Sequence, residues 1–223
     1  MSSEGRNLIR ALSPLAVHLG ISFIVTVIFD MIAGSLGTAG TDAGARTSAV
    51  ALCSLPVLWR MWKRDRESWP MTVRSRRTRT WLEKAGFYGV AFVGGILLSC
   101  AGSFLLRQSG IAGHFSNRAQ EELFASHPAV LLVGLCLLVP LAEELLYRGL
   151  FYGRLREFLP RRPAVLCAAV IFAAAHGNMI QALYALPMAL VMHWLYETDG
   201  CLLAPIAFHM GANLIAVLIE RLI

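Results

Sequence analysis

The sequence predicts an all-α, polytopic integral membrane bundle of about seven transmembrane helices, within a range of about six to eight. Three observations carry that prediction. The chain is 57% hydrophobic and only 15% charged, and its mean hydropathy is +0.60, a composition far from that of a soluble domain. Its charges fall between apolar runs rather than through them. No linker, low-complexity tract or internal repeat divides the chain, so a single transmembrane domain over residues 1–223 is expected.

The spans follow from the runs, since about 20 helical residues cross a bilayer core. Between Arg10 and Asp42 the one charge is Asp30, which defines a first span. That stretch is long and lacks a small-residue cleavage site, so it reads as retained rather than as a signal peptide. Thr47 to Trp59 is a short second run that must borrow its neighbours to span. Lys84 to Arg107 encloses the third, and the uncharged run Leu123 to Ala142, ending at Glu143 and Glu144, is the fourth. The uncharged stretch from Pro163 to Tyr196 is too long for one crossing. His176-Gly177-Asn178 offers a turn that splits it into a short fifth span and a sixth, and Gly200 to Ile219 forms the last.

Lys and Arg set the orientation. With the N-terminus in the cytoplasm, the inner segments hold all of the 20 Lys and Arg except Arg46, Arg107, Arg118 and Arg221. Trp59, Trp62, Trp69 and Trp81 bracket the largest basic loop, where indoles sit at headgroup level. That loop accounts for the net charge of +6 by topology and contact with anionic lipid. With no recognition motif beside it, a nucleic-acid partner is excluded. Cys53, Cys100, Cys136, Cys167 and Cys201 are scattered singly in apolar surroundings and read as small buried hydrophobes.

Three polar groups remain, each at helical spacing. A carboxylate at bilayer depth costs about 2.5–3.5 kcal/mol on insertion scales, and such residues nearly always face a partner or a wet cavity. Glu144 and Arg148 are four apart and can pair on one helix face, whereas Glu143 is turned by about 100° and left free. Phe172 and His176 share a face of the fifth span, beside alanines that allow close helix approach. His209 and Asn213 share a face of the last. Counted from the proposed cytoplasmic ends at about 1.5 Å per residue, Glu143 lies ~16 Å deep, His176 ~20 Å and His209 ~13 Å. One layer in the cytoplasmic half of the bundle therefore holds all three. Asp30 and His18 do not share a face, and Asp30 is placed near the outer interface or a cavity. His193, beside Trp194 and Tyr196, reads as interfacial.

In this order and on separate spans, Glu143-Glu144-xxx-Arg148, Phe172-xxx-His176 and His209-xxx-Asn213 resemble the three motifs of the CAAX-processing and bacteriocin-processing (CPBP, or Abi) family of intramembrane proteases, which includes the type II CAAX endopeptidases. The resemblance covers residues 123–220, and segment 197–202 is similar to the family's short turn before the last span. It implies peptide-bond hydrolysis. Glu143 would deprotonate a water held by His176, since a carboxylate in a low-dielectric pocket is a stronger base than one in water. His209 and Asn213 would donate to the oxyanion, with Glu144 and Arg148 orienting the helix.

A zinc or other divalent metal held by His176, His209 and Glu143 or Glu144 is the mechanistic alternative, because family members have been described as metalloproteases and as glutamate proteases. The absence of HExxH favours the metal-free form. The implied partner is a membrane-anchored protein or peptide, lipidated if the CAAX type applies, presented in the lipid bilayer. Two other classes stay open: a proton-coupled transporter or channel, which also places Glu and His in a membrane, and a non-catalytic scaffold or immunity protein.

Overall fold

The computed structural model describes residues 2–37, 42–68, 79–110 and 118–222, and every regular element among them is a helix. In chain order these are α1 (Ser3–Ser35), α2 (Ala43–Ser68), α3 (Trp81–Gln108), the short α4 (Arg118–Phe124), α5 (Pro128–Leu155), α6 (Arg161–Ala174), α7 (Met179–Asp199) and α8 (Leu203–Leu222). Five of them, α1, α3, α5, α7 and α8, are long and apolar enough to cross a membrane. The expected count of seven changes at the two runs that the sequence marks as short. Helix α2 has 26 residues but ends in a charged stretch. Helix α6 has 14 residues, which at 1.5 Å each reach ~21 Å against a core of about 30 Å.

Local chemistry sets the helix ends. Thr80 and Glu83 form a reciprocal capping box at the start of α3, with Glu83 N–H donating to Thr80 Oγ1 at 3.3 Å and Thr80 N–H to Glu83 Oε2 at 2.8 Å. The turn expected at His176-Gly177-Asn178 is present. Gly177 adopts φ +66°, a left-handed conformation that favours glycine, and Asn178 Oδ1 accepts from Ile180 N–H at 2.9 Å to open α7. Gly200, at φ +68°, closes α7 before α8.

Lipid supplies no hydrophobic drive between helices, so close van der Waals approach holds the bundle. It is tightest between α3 and α8. A Cβ added to Gly95 would overlap the Phe208 carbonyl oxygen, and one added to Gly211 would overlap that of Phe92. Ser99 Oγ donates to the Ala212 carbonyl at 3.1 Å. Because Gly95 meets Phe208 and Ser99 meets Ala212, the two helices run in the same direction. Gly95→Ala or Gly211→Ala is expected to destabilise by about 1–3 kcal/mol or more, as overpacking does, and to lower the detergent melting temperature. Gly86→Ala, with open space around it, should leave the melting temperature unchanged.

At the basic end, Arg154 ties three helices: Nε donates to Asp65 Oδ2 at 2.6 Å, and NH1 donates to the Arg10 carbonyl and to Ser13 Oγ, each at 2.6 Å. At the other end Arg46 pairs with Asp30 at 3.7 Å, which places Asp30 near that interface. Trp59 and Trp81 are exposed as a headgroup belt requires, whereas Trp69 lies outside the described residues. Two expectations are overturned. His193 is fully buried, its Nδ1 2.7 Å from the Ala189 carbonyl and its ring edge-on to Tyr152. It is therefore a core residue of α7 and not interfacial. Of the cysteines only Cys136 is buried, while Cys53 and Cys167 are exposed on outward faces.

Candidate active site

Helix α5 carries the carboxylates, and its backbone departs from α geometry around them. Wide turns with i→i+5 bonding occupy Leu131–Leu138 and Leu145–Tyr152, flanking an ordinary α segment at Val139–Glu144. Such turns often mark functional sites. Here the proline at 140 supplies a reason. Val139 N–H bonds the Gly134 carbonyl, so the Leu135 carbonyl loses its α partner, and its i+5 partner is Pro140, which has no N–H. Asn213 Nδ2 on α8 fills the gap, donating to Leu135 O at 2.8 Å.

The acid pair divides as its helical spacing predicts. Glu144 and Arg148 are fully buried, with Arg148 NH1 donating to Glu144 Oε1 at 2.8 Å. Glu143 keeps 28% of its side chain exposed. A bond that no sequence spacing indicates joins the first and third motifs: His209 Nδ1 lies 2.8 Å from the same Glu144 Oε1. Since a carboxylate paired to Arg148 accepts, Nδ1 of His209 carries the proton and donates. Its Nε2 then faces Glu143 Oε2 at 3.8 Å.

His176 sits just past the end of α6 and is oriented in the same way, its Nδ1 donating to the Phe172 carbonyl at 3.0 Å. Phe172 is the packing hub between the motifs. Its ring stands edge-on to His176 at 5.1 Å, to His209 at 6.0 Å and to Tyr147 at 5.0 Å, and the Arg148 guanidinium lies 4.3 Å from its centroid. Both imidazoles therefore have Nδ1 bound to the fold and Nε2 left for a ligand, the arrangement that fixes a histidine's tautomer.

Glu143, His176, His209 and Asn213 all line one cavity of about 340 Å³, so the structure brings the four proposed catalytic side chains together. Glu144, Arg148 and Phe172 stand behind them, outside the lining. Glu143 is nearer the Leu155 end of α5 and His209 is in the second turn of α8, so these two lie nearer the basic end, whereas His176 lies past the opposite end of α6. The cavity leads from these groups toward Thr47, Arg107, Gln120 and Glu220, at the end of the bundle opposite the Arg-rich loop. Arg107, Gln120, Gln181 and Tyr184 in that lining were not among the residues expected from sequence.

A metal would need several of these donors around one point. Among the described residues no three His, Cys, Asp or Glu side chains are gathered closely enough to hold an ion, and Glu144 Oε1 already takes two donors.

Residues 125–215 match the family model described as type II CAAX prenyl endopeptidase Rce1-like. No curated protein and no solved structure matched the chain. The matched stretch runs from the start of α5 into α8 and contains all three motifs, from Glu143 to Asn213. Residues 125–215 of this multi-pass membrane protein are thus similar to the Rce1-like type II CAAX prenyl endopeptidases.

Proposed function

We propose that this chain is an intramembrane endopeptidase that hydrolyses a peptide bond of a membrane-anchored substrate of CAAX or related type, using a water activated by Glu143. The observation that carries the reading is the pair of imidazoles, each anchored through Nδ1, that line one intramembrane cavity with a partly exposed carboxylate. A packing role alone would not leave Glu143 without a hydrogen bond to the fold among the described residues.

In this mechanism the His176 Nε2 lone pair accepts a hydrogen bond from the water and holds it. Glu143 takes the other proton as the water oxygen attacks the carbonyl carbon, and the carbonyl π pair moves onto oxygen. His209 Nε2 and the second Asn213 N–H face that oxygen, a type of stabilisation worth several kcal/mol. For Nε2 to donate while Nδ1 donates to Glu144, the His209 ring must be the imidazolium, flanked by two carboxylates. When the intermediate collapses the C–N bond breaks, and Glu143 returns its proton to the leaving amine.

Purified protein in nanodiscs, incubated with acylated and prenylated membrane peptides and analysed by mass spectrometry, should release a C-terminal fragment. A transporter or scaffold would release none. The reaction is proposed to need no metal, a reading supported by the lack of any cluster of three His, Cys, Asp or Glu side chains able to hold an ion among the described residues. Chelation followed by dialysis should then leave most of the rate, with elemental analysis showing well under one metal per chain. Loss of the rate on chelation, restored by stoichiometric zinc, would overturn the metal-free mechanism.

A further inference from the structure

An ionisable side chain is costly inside a membrane bundle and marks function more often than packing. His193 on α7 is fully buried, and it belongs neither to the three motifs nor to the cavity lining. Its Nδ1 lies 2.7 Å from the Ala189 carbonyl oxygen, so Nδ1 carries the proton and Nε2 of the neutral ring is left as an acceptor. The same carbonyl takes Arg148 Nη2 of α5 at 3.5 Å. Imidazole and guanidinium therefore meet at one oxygen.

That meeting leaves a matched pair of atoms. Arg148 Nε is a buried donor and His193 Nε2 a buried acceptor, and neither has a hydrogen-bond partner among the described residues. Buried polar atoms nearly always find one. A core role alone asks for neither nitrogen of the imidazole, because phenylalanine would keep the edge-on contact with Tyr152 at 4.9 Å and leave no lone pair to satisfy. From Arg148 the bonds continue across the bundle to the site. Its Nη1 donates to Glu144 Oε1 at 2.8 Å, that oxygen accepts from His209 Nδ1 at 2.8 Å, and His209 Nε2 faces Glu143. The Phe172 ring packs 4.3 Å from the guanidinium carbon, which leaves rotation of the guanidinium within its own plane to be fixed by its N–H groups.

We propose that His193 is a positioning residue for the site: its Nε2 accepts the Arg148 Nε–H and so sets the angle at which Arg148 holds Glu144 and Glu144 holds His209. The effect on turnover rests on the endopeptidase reading, whereas the chain of hydrogen bonds can be measured without it. Proton NMR of protein with isotope-labelled histidine in nanodiscs reads the His209 Nδ1–H, which resonates far downfield because a carboxylate accepts it, and which is assigned by its loss in His209→Gln. Replacements at 193 separate the two nitrogens, since a glutamine amide reaches the place of Nε2 and an asparagine amide the place of Nδ1. His193→Gln should keep the resonance in position and turnover close to that of the parent. His193→Asn and His193→Phe should shift or broaden it and lower kcat by about 10- to 100-fold, the size of loss found when an outer hydrogen-bond partner of a site histidine is removed. KM should stay unchanged, because His193 touches no substrate.

Equal resonances and equal kcat in the asparagine and glutamine variants, or His193→Phe at the parental kcat, would overturn the proposal. So would rate losses that follow melting temperature across the variants while the His209 resonance stays in place. If His193→Phe does not fold, the contrast between asparagine and glutamine decides alone. A resonance that responds as expected in a protein that cleaves no peptide would instead sink the endopeptidase reading and leave the positioning role standing.

Discussion

Glu143→Gln is expected to lower turnover by about 100- to 10,000-fold, the range a positioned general base contributes, while the protein extracts and melts like the parent. Glu143 makes no hydrogen bond to the fold among the described residues, and its near contact is His209 Nε2 at 3.8 Å. The amide preserves its size and removes its basicity. Glu144→Gln should behave differently. Glu144 is fully buried, and its Oε1 takes both Arg148 NH1 and His209 Nδ1 at 2.8 Å. Neutralising it strands an enclosed guanidinium, and breaking such a pair costs about 3–5 kcal/mol. It also releases the His209 ring. Lower thermal stability together with lower activity is expected, read by detergent melting and by peptide cleavage on the same preparation. Full activity in Glu143→Gln would remove it from the mechanism.

The site was legible where helical spacing carries the information. Four residues separate Glu144 from Arg148, and both the pairing and the freedom of Glu143 follow from that interval. Depth counting placed three motifs in one layer, and they do meet around one cavity. What spacing cannot supply is which partner a shared oxygen takes across the bundle. Glu144 appeared committed to Arg148 alone, although a carboxylate oxygen has room for a second donor. His193 was misread because Trp194 and Tyr196 suggested an interface, while its own side chain turns inward to Ala189 and Tyr152. Arg107 was used only to count charges, and its place on the cavity depends on how α3 packs against α8. Helix α6, expected as a short fifth span, stops after 14 residues at the His176-Gly177 turn.

One signal was present in the sequence and unused. A proline within an apolar span frees a carbonyl in the preceding turn, so Pro140 called for a donor from another helix, and Asn213 is that donor. Asn213 therefore has two separable jobs. Asn213→Ala should lower the rate constant by about 100- to 1000-fold if the second N–H stabilises the oxyanion, with apparent substrate affinity nearly unchanged. It should also lower stability by about 1–3 kcal/mol, because the Leu135 carbonyl is left unpaired.

A double-mutant cycle with Pro140→Ala separates the two effects. Alanine at 140 restores a backbone N–H, and Leu135 O then finds a donor in the wide register or, if the helix relaxes to α geometry, at Val139. The doubly substituted protein should thus recover melting temperature relative to Asn213→Ala without recovering turnover. Asn213→Asp adds a pH test. A neutral carboxylic acid can donate to Leu135 or to the oxyanion, whereas the ionised form repels both oxygens, so activity should return only toward acidic pH. Turnover that recovers in step with stability in the Pro140→Ala background would make Asn213 a tether for the proline-broken helix and remove it from the oxyanion site.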